Sequence, residues 1–333
     1  MEQLTFAKYV QPCVTGFRHL VDPKNADYYT IGHTSTKVSY QDLTQNRLFD
    51  VKGFVAVVTG GGSGIGLMAT QGLVAGGARV YVVSRRKEVL DDVAKKYSQT
   101  GPGEIFGIKA DINDPNDIEN LAKELETREP KGINILINNA GVTQEAEKKV
   151  HASSVDYRSA DSVRSWLEGN GRDVWQQTLA SNLISHHFVT ARLIPALDKG
   201  SSIVPGHSSS IINISSISGT VKSTSAGQYA YAASKAAFTH LSRQLAHTLY
   251  PLRIRVNCIE PGLFPSEMTT GDSDENQKSK IEGAGSKFPA GRTGQEADIA
   301  SAVLYLGSRA GTFVNGETIH VDGGALLQSP STA

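Results

Sequence analysis

A glycine-rich turn near residue 60 constrains the fold of this chain more strongly than any other feature of its sequence. It is made of Thr59, Gly60, Gly61, Gly62, Ser63, Gly64, Ile65 and Gly66. An apolar run at 54–58 precedes the turn, and a helix-like run at 67–75 follows it. A strand, a glycine turn and a helix N-terminus in this order bring backbone N–H groups and the positive helix end to one point, where missing side chains allow close approach. The pattern predicts an α/β fold with a site for a dinucleotide pyrophosphate.

A tyrosine–lysine pair much later in the chain adds chemistry to this prediction. Among the 11 tyrosines only Tyr231 has a lysine four residues on, Lys235, and this spacing puts both side chains on one face of a helix. Tyr229 is followed at the same spacing by Ala233. An ammonium beside a phenol stabilises the phenolate, so we expect the pKa of Tyr231 to lie below its usual value of about 10. A nucleotide site with a tuned proton donor predicts hydride transfer to or from a carbonyl group.

The composition argues against several other classes of function. The chain has 333 residues, with 33 Lys plus Arg and 33 Asp plus Glu, so it lacks the basic excess of nucleic-acid and membrane-surface proteins. No apolar run approaches the ~18 residues of a transmembrane helix, and the first residues do not read as a signal peptide. Cys13 and Cys258 show no metal or redox spacing, and the adjacent His186 and His187 lie on different helix faces. We therefore expect a cytoplasmic, disulfide-free protein with no metal site and no nucleic-acid or membrane partner.

Short β-branched runs alternate with helical stretches from residue 51 onward. The predicted strands span 55–58, 80–83, 105–110, 133–138, 210–215, 253–259 and 318–321. The predicted helices span 64–76, 86–97, 115–128, 173–197, 228–250 and 296–308. Near-continuous apolar strands are typical of a parallel sheet covered by helices on both faces. The alternation predicts a single doubly wound α/β domain.

Several regions fall outside this alternation. Residues 1–50 form an N-terminal extension, either an arm packed on the sheet or on a partner subunit, or a semi-ordered tail. Within the domain at 51–328, the insertion 142–172 leaves the edge where open α/β sheets bind ligands, and it forms either a wall of the substrate pocket or a surface excursion. The polar loop 263–292 at the same edge is predicted to be a mobile lid over the substrate. Residues 329–333 are a C-terminal tail.

The motifs and their order resemble those of the short-chain dehydrogenase/reductase family. The glycine turn reads T-G-x-x-x-G-x-G, Tyr231 and Lys235 follow at about the family's separation, and the likeness covers residues 51–328. An N-N-A-G run at 138–141 and a P-G-x-x-x-S-x-M run at 261–268 agree with it. In look the chain is closest to fungal 3-oxoacyl-carrier-protein and rhamnolipid-type reductases. The resemblance implies a Rossmann-type fold with a seven-stranded parallel sheet in the order 3-2-1-4-5-6-7.

The resemblance also implies four catalytic residues, Asn182, Ser216, Tyr231 and Lys235. Tyr231 is the expected proton donor and Lys235 binds the ribose hydroxyls, while Asn182 holds a helix kink and a water that joins the lysine to solvent. The serine has two candidates. Counting back the family's usual separation from Tyr231 gives Ser218, whereas aligning on the preceding strand gives Ser216. We prefer Ser216, because the serine must emerge from the strand end and the following loop can absorb insertions.

The cofactor contacts are carried over from the same family. The residues expected to contact the cofactor are Thr59, Gly60, Gly62, Ser63, Gly64, Ile65, Gly66, Ser84, Arg85, Arg86, Asp111, Ile112, Asn139, Ala140, Gly141, Tyr231, Lys235, Pro261, Gly262, Phe264, Ser266 and Met268. In the family the aspartate at Asp111 contacts adenine, and the residue at Ser266 bonds the nicotinamide carboxamide.

The end of the second predicted strand decides between the two nicotinamide cofactors. An NAD site usually has an acid ~20 residues after the glycines, where it bonds the ribose 2′-hydroxyl. Here Arg85 and Arg86 stand at that point, and a guanidinium grips a 2′-phosphate with two parallel hydrogen bonds. The sequence therefore predicts NADPH/NADP+.

These features lead to one preferred function and one alternative. The preferred function is NADPH-dependent reduction of a small-molecule carbonyl, with a β-ketoacyl thioester, a polyketide or another secondary-metabolite ketone or imine as substrate. The alternative is an NADP(H)-binding redox sensor or scaffold without turnover; such proteins usually lose the tyrosine or the lysine, and this chain keeps both. The family's usual assembly implies a homodimer or homotetramer through the helices at 173–197 and 228–250.

Overall fold

The computed structural model describes residues 40–98, 101–145, 155–223, 225–281, 283 and 288–329. Most of the predicted extension, parts of the insertion and of the predicted lid, and residues 330–333 of the C-terminal tail lie outside these residues. The chain divides into two units, residues 1–43 and 44–333. In the first unit, Tyr40–Leu43 forms a single 3₁₀ turn. The site and the sheet belong to the second unit.

Seven parallel strands form one sheet in the order β3-β2-β1-β4-β5-β6-β7, which confirms the predicted topology. The strands are β1 (Val55–Thr59), β2 (Arg79–Ser84), β3 (Glu104–Lys109), β4 (Ile135–Asn138), β5 (Ser210–Ile214), β6 (Arg255–Pro261) and β7 (Thr318–Val321). All of the predicted strands are present, with bounds that differ by at most two residues. Since the strands run in one direction, their carboxyl ends meet at one edge of the sheet.

The connecting helices cover both faces of the sheet. They are α1 (Gln45–Leu48), α2 (Gly64–Ala75), α3 (Lys87–Tyr97), α4 (Pro115–Arg128), α5 (Ala160–Glu168), α6 (Arg172–Leu179), α7 (Ser185–Ser201), α8 (Tyr229–Leu249), α9 (Glu267–Thr270) and α10 (Glu296–Gly307). The helix predicted at 173–197 is divided by a π-helical turn, Ala180–Ile184, which separates α6 from α7. No helix within the described ranges combines the length and apolarity needed to cross a membrane.

Two apolar cores follow from the alternation of side chains along each strand. One face carries Val58 and Ile137, which pack with residues of α2, α3 and α10. The opposite face carries Val57 and Leu136, which pack with residues of α4, α7 and α8. Strands buried on both sides explain the near-continuous apolar runs of the sequence. The helices packed on both faces hold the sheet in place, and the candidate site lies at its carboxyl edge.

Candidate active site

The glycine turn joins the end of β1 to the start of α2 and is held by the N-N-A-G run. The Thr59 hydroxyl accepts hydrogen bonds from the backbone N–H groups of Asn139 (3.0 Å) and Ala140 (3.2 Å). The Asn139 amide donates in return to the carbonyl oxygens of Thr59 and Gly60, both at 3.1 Å. A Cβ on Gly66 would lie 2.2 Å from the Gly60 carbonyl oxygen. Two motifs that are about 80 residues apart in sequence thus form one rigid cradle.

The outer part of the cradle faces the loop that follows β6. Gly64 has a φ of +51°, and a Cβ there would meet the Ser266 Cβ at 2.9 Å. Gly62, Ser63 and Ile65 complete the turn, with Ser63 and Ile65 partly exposed. Ser266 begins α9, and its hydroxyl lies 3.2 Å from that of Thr269. The start of the predicted lid therefore lies directly against the turn.

The other predicted residues of the β6 segment differ in their surroundings. Gly262 follows Pro261 and packs so closely on Asp322 that a Cβ would lie 2.8 Å from the Asp322 Cα. Phe264 is buried, and its ring fills the space beside Gly294. Met268 is 41% exposed. Phe264 thus anchors the loop in the core, so its side chain is placed to support the cofactor site rather than to line it.

Ser216 and Tyr231 meet at the carboxyl edge. Tyr231 lies in the first turn of α8 and is buried. Burial raises the pKa of its phenol above the ordinary value, and a hydrogen bond with Ser216 opposes that rise. Ser218, the other candidate serine, bonds instead to the Ser225 hydroxyl at 2.7 Å. The geometry brings Ser216, rather than Ser218, to the phenol.

Lys235 lies one turn further along α8, as its spacing predicts. Its Nζ donates to the Ile214 carbonyl oxygen at 2.9 Å and lies 5.7 Å from the centre of the Tyr231 ring. Burial lowers the pKa of Lys235 to about 8. The expected lowering of the Tyr231 pKa by this ammonium is not what the structure shows, because desolvation of the phenol outweighs the stabilisation of its charged form.

Asn182 occupies the π-helical turn between α6 and α7 and is fully buried. Its Oδ1 accepts from the Val142 N–H at 2.8 Å, and its Nδ2 donates to the Val142 carbonyl oxygen at 2.9 Å and to the Ser234 hydroxyl at 3.1 Å. A Cβ on Gly141 would lie 3.3 Å from the Asn182 Oδ1 and 3.6 Å from the Lys235 Nζ. The kink expected from the resemblance is therefore present, and both the Asn182 Oδ1 and the Lys235 Nζ lie next to Gly141.

The residues predicted at the adenine end lie beyond β2 and β3. The Asp111 carboxylate accepts from the backbone and side chain of Asn113 at 2.9 and 3.1 Å, which makes it a turn residue, and Ile112 is buried beside it. Arg85 is exposed after the partly exposed Ser84. Arg86 pairs with the Glu267 carboxylate of α9, with its shortest contact at 2.9 Å. The Arg86 guanidinium, which was predicted to bind a phosphate, thus forms an ion pair with the Glu267 carboxylate of the predicted lid.

The insertion contributes a residue that sequence reasoning missed. Glu145 is buried, and its two carboxylate oxygens accept the backbone N–H groups of Ala230 (2.8 Å) and Tyr231 (3.0 Å). The same insertion places Trp166 against Tyr229, with ring centres 5.4 Å apart. The described part of the insertion is therefore packed on the start of α8. No local signal marks Glu145, because it lies in a charged run and its partners are 85 and 86 residues away.

A cleft of about 410 Å³ lies beside the cradle, between α2 and the lid. Met68, Pro265, Lys280 and Gln295 are among its lining residues, and Tyr231 is not. The cleft thus borders the cofactor end of the site rather than the tyrosine.

Comparisons with known proteins agree with this arrangement. A family model described as enoyl-(acyl carrier protein) reductase matches residues 60–325. The short-chain dehydrogenase/reductase PhomF of Diaporthe leptostromiformis is 38% identical over 293 residues, which are 86% of this chain and 95% of that protein. The rhamnolipids biosynthesis 3-oxoacyl-[acyl-carrier-protein] reductase of Pseudomonas aeruginosa is 33% identical over 279 residues, 84% of this chain and 98% of that protein.

A solved structure shows the same likeness in three dimensions. A Pseudomonas aeruginosa RhlG/NADP active-site complex superimposes with a TM-score of 0.69 at 32% identity, covering 83% of this chain and 98% of that one. The family match spans most of the chain, and the sheet order agrees with it. This chain belongs to the short-chain dehydrogenase/reductase family of oxidoreductases.

Proposed function

We propose that this protein reduces a small-molecule carbonyl to an alcohol with NADPH, and that Tyr231 donates the proton. The observation that carries the proposal is the grouping of Tyr231, Ser216 and Lys235 at the sheet edge that also holds the glycine cradle. Membership of an oxidoreductase family supports the reaction class. Retention of the whole catalytic set argues against the sensor or scaffold alternative.

The residues at the carboxyl edge fit NADPH. Side chains on Gly60 and Gly66 would collide with Ala140 and Asn139, so the turn leaves its backbone free to approach a pyrophosphate at the start of α2. Arg85 and Arg86 follow β2, where an NAD site would have an acid. The NADP recorded for the Pseudomonas structure supports the same choice.

The chain's own residues have separate roles in the proposed reaction. Bound NADPH supplies the hydride that the carbonyl carbon receives. Ser216 and Tyr231 donate hydrogen bonds to the carbonyl oxygen, and Tyr231 then transfers its proton to that oxygen. Burial raises the pKa of the phenol, which favours the protonated form of Tyr231 that the reducing direction needs. General acid catalysis of this kind contributes about 10²–10⁴-fold.

In this proposal Lys235 takes part in cofactor binding, and Asn182 takes part in proton transfer. Lys235 would bind the ribose hydroxyls of the cofactor. Asn182 would support a water that links Lys235 to solvent, and the closeness of its Oδ1 and the Lys235 Nζ to the same point beside Gly141 supports this role. This pathway returns a proton to Tyr231 after each turnover.

The substrate in this proposal is a 3-oxoacyl thioester or a secondary-metabolite ketone or imine. Relatives named as 3-oxoacyl-[acyl-carrier-protein] reductases support the first class. We further propose a cytoplasmic homodimer or homotetramer. Ile184 (49% exposed) and Phe188 (56% exposed) lie on the long kinked helix segment that the family uses for assembly and support that contact.

Binding of the two nicotinamide cofactors tests the proposal most directly. Fluorescence titration of the purified chain with NADPH and with NADH is expected to give at least ~tenfold tighter binding of NADPH, which equals about 1.4 kcal/mol. Arg85→Ala and Arg86→Ala should reduce this preference, whereas Arg128→Ala, which removes an exposed arginine from α4, should leave it unchanged. Equal binding of both cofactors would overturn NADPH selection. Absence of binding by either would favour the scaffold alternative.

A further inference from the structure

The first turn of α8 is capped from a distant part of the chain. Its own N-cap residue, Gln228, makes no side-chain hydrogen bond to the turn, and the turn contains no acidic residue. The cap comes instead from Glu145, whose carboxylate holds the second and third N–H groups of the helix, those of Ala230 and Tyr231. Helix starts favour such an anion, because their N–H groups lack intrahelical partners and the helix dipole is positive there.

Tyr231 is held through its backbone as well as through its ring. Its N–H donates to Glu145 at 3.0 Å, and its carbonyl oxygen accepts from the Ser234 hydroxyl at 2.7 Å. The phenol bonds to Ser216. Removal of the Glu145 carboxylate frees the backbone at this residue while the ring environment keeps its composition.

We propose that Glu145 is a positioning residue, which fixes the start of α8 so that the phenol of Tyr231 meets Ser216 and the substrate carbonyl. The role rests on the proposed function of Tyr231 as proton donor. It also gives the insertion a purpose, since Asn170 donates to the same carboxylate at 3.5 Å and Trp166 packs on Tyr229. The described part of the insertion thus buttresses the catalytic helix.

Glu145→Gln is the most direct test, because it keeps the shape and removes one acceptor. The amide has a single acceptor oxygen, so its NH₂ group faces one of the two N–H donors. Glu145→Asp keeps the charge but withdraws the carboxylate by one methylene, and it serves as the second variant. Glu168→Gln, an exposed position at the end of α5 in the same insertion, is the matched control.

Two measurements separate positioning from simple loss of structure. In the full chain labelled with 3-fluorotyrosine, the ¹⁹F resonance that disappears in Tyr231→Phe reports on this ring without any substrate. In Glu145→Gln we expect this resonance to shift or broaden.

The second measurement is kinetic. With acetoacetyl-coenzyme A as the substrate we expect kcat to fall at least ~tenfold while the Kd of NADPH changes less than ~twofold, because the substitution affects the chemical step rather than cofactor binding. With deuterated NADPH, the isotope effect on kcat should rise.

The outcomes divide cleanly. If the Tyr231 resonance is unchanged in Glu145→Gln and Glu145→Asp, the positioning role is wrong. A fall in kcat without a change in the isotope effect would show only a smaller folded fraction, and it would also overturn the proposal. If the wild-type chain does not turn over acetoacetyl-coenzyme A, that result counts against the thioester substrate, and the ¹⁹F spectra still decide the role of Glu145.

Discussion

At the scale of single residues, the polar groups of Tyr231 show how the site is built. Glu145 accepts from its N–H, Ser234 donates to its carbonyl oxygen and Ser216 bonds to its phenol. Only Ser216 among these three partners belongs to the predicted catalytic set. A catalytic side chain recognised from a motif is thus held in place by residues that the motif does not contain.

Tyr231→Phe removes the proton donor and leaves the volume of the ring. We expect carbonyl reduction to fall by about 10²–10⁴-fold, the usual contribution of a general acid, with NADPH binding retained. Steady-state kinetics with a ketone panel and a parallel NADPH titration check both parts. Tyr229→Phe, two residues earlier on α8, is the control and should keep activity. Full activity of Tyr231→Phe would refute the assigned role.

Gly66→Ala tests whether the close packing of the cradle requires a residue without a side chain at this position. A Cβ at this position would lie 2.2 Å from the Gly60 carbonyl oxygen and 2.4 Å from the Asn139 amide nitrogen. We expect a loss of about 1–3 kcal/mol in the free energy of unfolding, the usual cost of overpacking. Denaturant unfolding provides the measurement. Gly62→Ala, whose Cβ would meet only the Val89 side chain, should cost less; equal losses would contradict this reading of the turn.

The sequence marked the residues that meet at the carboxyl edge more clearly than the residues that support them. Tyr231 and Lys235 carry a recognisable spacing, and alignment on β5 selected Ser216, the serine that the structure brings to the phenol. The role of Glu145 could not be recognised from the sequence, because its partner Ala230 lies 85 residues further along the chain. The expected lowering of the Tyr231 pKa was wrong for a similar reason. Burial raises this pKa, and burial is a property of the folded molecule and not of a four-residue spacing.

At the scale of elements, the kink at Asn182 shows where periodicity fails. Helical spacing predicts one helix at 173–197, and the kink at Asn182 within it was expected from the family resemblance alone. In the π-helical turn the Asn182 amide pairs with both backbone groups of Val142, which lies 40 residues earlier in the chain. Strand and helix bounds elsewhere were predicted to within a few residues, because apolar runs and glycine turns mark them locally.

The lid element supports a prediction about cofactor affinity. Glu267 of α9 accepts from the Arg86 guanidinium and also from the Ser273 hydroxyl. A 2′-phosphate would compete with this carboxylate for Arg86. Since partly exposed ion pairs contribute about 0.2–1 kcal/mol, Glu267→Gln should tighten NADPH binding up to about fivefold and leave NADH binding unchanged.

Titration of both cofactors with Glu267→Gln checks this competition. Asp272→Asn removes a charge from an exposed residue of the same loop and serves as the control. An equal change for NADPH and NADH would mean that Glu267 affects closure of the loop and not recognition of the phosphate.

At the scale of the whole molecule, stability should depend on two buried histidines. Burial lowers the pKa of His207 to about 4 and that of His186 to about 3, from a usual value of 6.5. Between pH 6.5 and pH 4 the unfolded chain therefore binds more protons than the folded chain, so stability falls as the pH falls. Each histidine contributes about 1.4 kcal/mol per pH unit in this window.

His207→Gln tests this dependence away from the site. His207 donates to the Gly307 carbonyl oxygen at 2.8 Å and packs on Phe54, and glutamine can replace the donor without titrating. Urea unfolding at a series of pH values should show a slope reduced by about one proton. An unaltered slope in His207→Gln would show that this histidine is protonated in the folded protein.

The order of strands in the sheet also bears on how the chain is made. β1 to β4 assemble the whole glycine cradle from residues up to Ala140, and β5, β6 and β7 then add one after another at the same side of the sheet. On the ribosome, the glycine cradle is therefore complete in sequence while α8 has yet to be translated. Glu145 is translated before Tyr231. Its carboxylate can therefore cap α8 only after the start of that helix has been synthesised.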